Sequence, residues 1–183
     1  MDWDNWLFFE INGLAGQSKG LDWLMFEVSQ EGNFLFPFLL LAGYWVWTSW
    51  REAVVGLPGL GLLIGLSDFL GGQAKLFLER PRPCQVFLNL NELVGCGGTF
   101  SMPSNHALNS ATIAAFIATM FPKTRWVAWP LVGMIGFSRV YMGAHYVTDV
   151  IAGWVLGWML GVGVARLLLG WHWFRPTPAK LVQ

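Results

Sequence analysis

Two histidines stand out by their company. His145 and Asp149 are four residues apart, so on a helix the carboxylate can accept the proton from one imidazole nitrogen and leave the other nitrogen free. That pairing orients a nucleophile or a base, and Arg139 just upstream adds a fixed donor. A structural ion pair is the plain alternative for the pair taken alone. His106 sits in "SMPSNHA", residues 101 to 107, where Ser104 occupies the N-cap position of an apolar helical run, behind Pro103. Unpaired N–H groups at such a helix start favour an anion. A third cluster, "KLFLERPRP", places Lys75 and Arg82 seven apart, two turns if the helix persists, with Pro81 and Pro83 ending the helix and holding Arg82 in extended chain.

Pooled, Lys75, Arg82 and Arg139 give three cations, Ser104 and its neighbouring amides give neutral donors, and His145 and His106 give a nucleophile and an acid. A tetrahedral oxyanion fits that donor set. For these groups to meet, the intervening chain must be a bundle that returns all three clusters to one end.

The composition supplies such a bundle. Of 183 residues, 55% are hydrophobic and only 12% charged, with 22 glycines and 12 tryptophans. This is the profile of an integral membrane protein, and the zero net charge gives no ground for a nucleic-acid partner. A helix crosses the hydrocarbon with roughly 20 residues. Five apolar stretches qualify, 33–50, 53–78, 105–122, 125–142 and 146–169, and a sixth, short or re-entrant, is conceivable at 21–28.

The fold class expected is therefore all-α, a polytopic transmembrane bundle of five to six spans in a single domain over residues 1–183. Residues 1–32 form an interfacial amphipathic segment with Trp3, Trp6, Leu7 and Phe8 set against Asp2, Asp4 and Glu10, residues 33–170 form the bundle, and 171–183 a cytoplasmic tail marked by Pro176 and Pro178. No cleaved signal peptide is expected.

Arg51, Lys123, Arg125, Arg166, Arg175 and Lys180 fall on one side, opposed by Glu52, which makes that side cytoplasmic. The chemistry-bearing clusters, with Lys19 and Arg80, fall on the other. Asp68, seven before Lys75, is expected to pair with it or stay protonated in the bundle. Gly153, Gly157 and Gly161 predict close helix packing, within the chain or in a homodimer. Trp47, Trp50, Trp126 and Trp171 read as interface anchors. Cys84 and Cys96 share the long extracytoplasmic connection and could bridge there. His172 stands alone, and no ligand group for a metal is evident.

These motifs resemble the type 2 phosphatidic acid phosphatase superfamily, related in active site to vanadium haloperoxidases. Its first motif, lysine, six residues, then Arg-Pro, is matched by Lys75, Arg82 and Pro83. Its second, Pro-Ser-Gly-His, is matched by Pro103, Ser104 and His106 with Asn105 in the glycine place. Its third is met in full by Ser138, Arg139, His145 and Asp149. The resemblance implies a metal-independent, cofactor-free membrane phosphatase. His145 would become a phosphohistidine with Asp149 orienting it, and His106 would protonate the leaving oxygen and then activate water. Lys75, Arg82, Ser104, Asn105 and Arg139 would hold the phosphoryl oxygens. The expected substrate is undecaprenyl diphosphate at the outer face of the plasma membrane, with phosphatidic acid, phosphatidylglycerol phosphate and lipid A phosphates as alternatives. A lipid phosphotransferase and a non-enzymatic lipid or ion transporter are the competing readings outside hydrolysis. Two histidines at their ordinary pKa of about 6.5 predict a bell-shaped pH profile.

Overall fold

The computed structural model describes residues 3–170. Asp2, Trp171, His172, Arg175, Pro176, Pro178 and Lys180, and with them the expected tail, lie outside the described residues. Among the described residues every regular element is a helix: α1 Trp3–Asn12, α2 Lys19–Ser29, α3 Leu35–Leu78, α4 Pro83–Val86, α5 Asn105–Met120, α6 Arg125–Tyr141 and α7 Val147–Gly170. Short 3-10 turns, Glu31–Phe34 and Pro122–Thr124, lead into α3 and α6.

At 44 residues, a straight α3 would be about 66 Å long. It is not straight. Ser49, with φ −151° and ψ 55°, leaves helical geometry and divides the element into two arms. Phe38 on the first arm packs in one cluster with Leu60 and Leu63 on the second, and the Trp45 ring lies where a Cβ on Gly56 would be 2.2 Å away. Contacts between positions so far apart require the arms to fold back on each other, and the reversal at Ser49 falls at the end of the 33–50 stretch, just before the gap at 51–52 read from the sequence. Leu60 and Leu63 also meet Phe116, Met120 and Ala165. The Ser49 reversal, the α5–α6 turn and the end of α7 therefore share one end of the bundle, and the chemistry-bearing clusters share the other.

Among the described residues, α5 and α7 share the most extensive helix–helix contact. A Cβ on Gly153, Gly157 or Gly161 would come within 2.7, 2.2 or 2.4 Å of the carbonyl oxygens of Ser104, Leu108 and Thr112 respectively. The glycine stripe is thus used inside the chain, against the backbone of α5, which answers the choice between intrachain packing and a dimer seam for these three residues.

Large apolar side chains point outward. Leu62, Phe69, Phe77, Trp126, Val127 and Leu167 are all well exposed, along with Trp47 and Trp50. A bundle that turns such residues out is matched to hydrocarbon rather than water. The segments Glu31–Leu78 and Val147–Gly170 are each long and apolar enough to cross a membrane, whereas α5 and α6 have 16 and 17 residues.

The N-terminal segment departs from the expected amphipathic pattern. It forms two helices, and the inward face of α1 is Asp4, Phe8 and Asn12, while Trp3 and Trp6 face out. The polar inward positions have partners: the Asn12 amide donates to the carbonyls of Asn91 and Tyr141, and Asp4 is held by Arg80 and Thr148. Helix α2, with 11 residues, reaches only about 17 Å and cannot cross the hydrocarbon.

Candidate active site

Helix α3 stops at Leu78 because Glu79 takes a left-handed conformation, φ 46°, with its N–H on the Lys75 carbonyl. The helix therefore does not persist to Arg82, contrary to the two-turn expectation, and it ends before either proline. Pro81 instead pairs with Phe100 in an isolated bridge, reinforced by the Ser101 N–H on the Arg80 carbonyl at 2.8 Å. Pro83 opens α4, where its missing N–H costs nothing, and Arg82 is the residue before it. Cys84 and Cys96 form a disulfide. That bridge sets Gly97, at φ 67°, beside the Arg82 guanidinium, 3.5 Å from where a Cβ would stand.

These turns deliver Lys75, Arg82, Asn105, His106, Arg139 and His145 to the lining of one cavity of about 630 Å³. Ser104 and Asp149 lie buried behind it. All eight residues picked from the sequence are thus gathered at one end of the bundle.

His145 lies in the turn between α6 and α7, only 2% exposed, with its N–H and that of Ala144 on the Arg139 carbonyl. Its Nε2 is 3.4 Å from Arg82 Nη1, which also donates to the Ala144 carbonyl at 3.2 Å. A guanidinium can only donate, so Nε2 presents a lone pair and the ring proton belongs on Nδ1. Nδ1 is 3.6 Å from Asp149 Oδ2, too long for a hydrogen bond, and 3.3 Å from Ser101 Oγ. The Ser101 hydroxyl donates a short hydrogen bond to the same Asp149 oxygen. Ser101 therefore stands between imidazole and carboxylate, and the direct His145–Asp149 hydrogen bond expected from the spacing is replaced by this relay.

Asp149 is fully buried. Its Oδ2 also accepts the Tyr146 N–H at 2.9 Å, and its Oδ1 accepts Arg80 Nη1 at 2.7 Å. Burial, with Arg82 and Lys75 nearby, outweighs the pull of Asp149 and lowers the His145 pKa to about 4. The ring is neutral at pH 7, with its lone pair available, rather than half-protonated near 6.5 as the sequence alone suggested.

The opposite wall is less finished. His106, in the first turn of α5, has a side chain 27% exposed, and its Nε2 is 3.4 Å from the carboxylate of Glu31, itself 67% exposed. Ser104 is the N-cap residue of α5 by position, yet its hydroxyl makes no capping bond and, buried, has no protein partner. Its own N–H is tied to the Asp149 carbonyl at 3.0 Å, which fixes the start of α5 on α7 without the side chain. Arg139 Nη1 donates to Ser29 Oγ, while Arg139 Nε and Arg82 Nε are buried without protein partners.

Asn105 has room because Gly71 faces it, where a Cβ would come 3.0 Å from Asn105 Oδ1. Asp68 accepts from Asn109 at 2.8 Å and Asn105 at 3.4 Å, so the carboxylate expected to pair with Lys75 is used by α5 instead.

Sequence reasoning missed Ser101, Arg80, Asp4, Thr148 and Glu31 as neighbours of the site. Arg80 and Ser101 lie within the quoted clusters, and their placement follows from the Pro81–Phe100 bridge, which no local pattern announces.

The chain is similar to known proteins over most of its length. The chain is 28% identical over 172 residues to the lipid A 4'-phosphatase of Porphyromonas gingivalis, covering 89% of this chain and 72% of that protein. It is 31% identical over 177 residues to the undecaprenyl-diphosphatase BcrC of Bacillus subtilis, covering 92% and 81%. The crystal structure of a transmembrane PAP2-type phosphatidylglycerolphosphate phosphatase from Bacillus subtilis superposes with a TM-score of 0.68 at 25% identity, over 91% of this chain and 87% of that one. The family model of the PAP2 superfamily matches residues 56–169, more than half of the chain, and includes all three motif clusters. The protein belongs to the PAP2 superfamily.

Proposed function

We propose that this protein is an integral membrane phosphatase that hydrolyses a lipid phosphate or diphosphate through a phosphohistidine on His145. The observation that carries the reading is the buried imidazole with its Nε2 lone pair turned into a cavity lined by Lys75, Arg82 and Arg139. Nε2 attacks phosphorus, forming the P–N bond as the bond to the leaving oxygen breaks. His106 gives its proton to that oxygen. Water then loses a proton to His106 and attacks phosphorus, releasing inorganic phosphate and restoring Nε2. The three cations, the Ser104 hydroxyl, the Asn105 amide and the first-turn N–H groups of α5 hold the phosphoryl oxygens as charge is redistributed. Ser101 and Asp149 keep the imidazole in the required tautomer. The step uses no metal or cofactor.

The whole chain is read as one membrane domain. The two arms of α3 with α5, α6 and α7 are five spans, and α1 and α2 lie across the end that carries the site. The orientation proposed puts the far end in the cytoplasm and opens the cavity to the extracytoplasmic face of the plasma membrane, a reading supported by Arg51, Lys123, Arg125 and Arg166 at the far end. Undecaprenyl diphosphate is the substrate proposed, supported by a relative of that name matching 92% of the chain.

The experiment is phosphate release by detergent-purified protein from undecaprenyl diphosphate, phosphatidic acid, phosphatidylglycerol phosphate and a lipid A phosphate, with and without a chelator. Release that is fastest from undecaprenyl diphosphate and indifferent to the chelator is expected. A faster reaction with one of the other lipids reassigns the substrate, and no release from any of them ends the reading.

A further inference from the structure

Arg80 does not line the cavity, yet it is more firmly held than any cation that does. One guanidinium nitrogen, Nη1, donates to Asp149 Oδ1 at 2.7 Å and to Thr148 Oγ1 at 2.6 Å. The other, Nη2, donates to Asp4 Oδ2 at 2.7 Å. The Tyr146 ring lies beneath, its centroid 3.9 Å from the Arg80 Cζ. Asp4 is 3% exposed and anchored in turn to α7, its Oδ1 accepting the Thr148 N–H at 3.0 Å and its Oδ2 the Thr148 hydroxyl at 2.5 Å. A single planar fork therefore joins a carboxylate of α1 to the carboxylate behind His145.

We infer that Arg80 is a positioning residue for His145, acting through Asp149, and that α1 belongs to the active site because Asp4 holds Arg80 in place. The inference rests on the proposed role of His145 as nucleophile. A fully buried carboxylate stays ionised only with a compensating cation or a full set of donors. Among the described residues Arg80 is the arginine or lysine bound to Asp149, and it takes Oδ1, leaving Oδ2 free to receive Ser101 and Tyr146. Without Arg80, Oδ1 loses its partner and the carboxylate, still ionised, is free to rotate, so that Oδ2 no longer receives Ser101 in the position that keeps the proton on His145 Nδ1. Lysine at position 80 would restore charge but not the fork that spans Asp4 and Asp149.

The charged and titratable groups around His145 are Lys75 from α3, Arg80 and Arg82 from the connection after it, His106 from α5, Arg139 from α6 and Asp149 from α7. Removing Arg80 deletes one cation from this set and unbalances it toward Asp149, which favours the protonated imidazole.

The test uses the full chain in detergent, with dioctanoyl phosphatidic acid and farnesyl diphosphate as probes, measuring kcat and KM from pH 4 to 8. Arg80→Met is expected to lower kcat by roughly 10- to 100-fold, the cost of losing a supporting partner, with KM changed less than about threefold. Its acid limb moves up by about one pH unit. Arg80→Lys restores the acid limb and part of kcat. Asp4→Asn, which keeps the shape of the side chain, gives a smaller fall of about three- to tenfold in the same sense. Wild-type kcat in Arg80→Met, or a loss of kcat with the acid limb unmoved, overturns the inference. Should Arg80→Met fail to fold, Asp4→Asn decides: unchanged kcat and unchanged acid limb there overturn it. Release of phosphate by wild type but not by His145→Ala establishes the underlying reading independently, and turnover persisting in His145→Ala refutes that reading whatever Arg80 does.

Discussion

The two walls of the cavity are built to different degrees. On the His145 wall, both oxygens of Asp149 are engaged, the imidazole is buried, and Arg80, Ser101, Tyr146 and Thr148 form one connected network. On the His106 wall, the Ser104 hydroxyl and Asn105 Oδ1 are buried without protein partners, and elsewhere around the cavity so are the Nε groups of Arg82 and Arg139. Each such group costs about 1–3 kcal/mol if left unsatisfied, so a folded chain that keeps several together is shaped for something that supplies their partners. A tetrahedral oxyanion does so for the donors. The saturated wall fixes the attacking atom in advance, and the unsaturated wall is completed by the group attacked. Preorganisation is concentrated where misalignment by a fraction of an ångström is most damaging.

That contrast breaks most completely at His145. His145→Ala is expected to lower kcat by about 10⁴-fold or more while the cavity and its cations remain, read as phosphate release from a lipid phosphate. A step down in size is Gly153→Ala. A methyl there would meet the Ser104 carbonyl at 2.7 Å and Ala107 at 3.0 Å, pushing the start of α5 away from α7 and so separating the walls. Roughly 10- to 100-fold is expected off kcat, with thermal unfolding also lowered. Glu31→Gln probes the open wall alone. Because Glu31 is well exposed, the loss should be only about three- to tenfold, larger for a monoester, whose alkoxide leaving group needs the His106 proton, than for a diphosphate.

The smallest effect is in the pH profile. His145 must be neutral to attack, and with its pKa lowered to about 4 it is neutral throughout the range from pH 5 to 7. The acid limb of kcat/KM is expected near pH 4, with the rate at pH 5.5 close to that at pH 7. A limb at 6.5 would mean that the buried wall does not shift its imidazole.

Much of this arrangement was legible in the sequence because the motif residues are themselves the chemistry. Lys75, Arg82, His106, Arg139 and His145 are chemically conspicuous in apolar surroundings, and the gap at 51–52 lies next to the reversal found at Ser49. What was hidden depends on contacts distant in sequence. Ser101 meets Asp149 across 48 positions, Arg80 meets it across 69, and Asp4 reaches Thr148 across 144. Asp4 on α1 looked like a solvated acid because local periodicity cannot show that an arginine will meet it. Ser104 looked like a cap because its position is right; only the docking of α7 shows that its N–H, not its hydroxyl, fixes the helix start. Gly71 explains why asparagine is tolerated at 105, and nothing local links those two positions either.

The claim that His145 is the atom-bearing nucleophile is tested most directly by acid-free quenching of His106→Ala during turnover of a lipid carrying labelled phosphate, followed by mass spectrometry of the peptide spanning 139–149. Phosphate on the His145 imidazole, stable in base and lost in acid, is expected to accumulate. Steady release of phosphate by the wild-type protein with label never found on His145 would contradict the account.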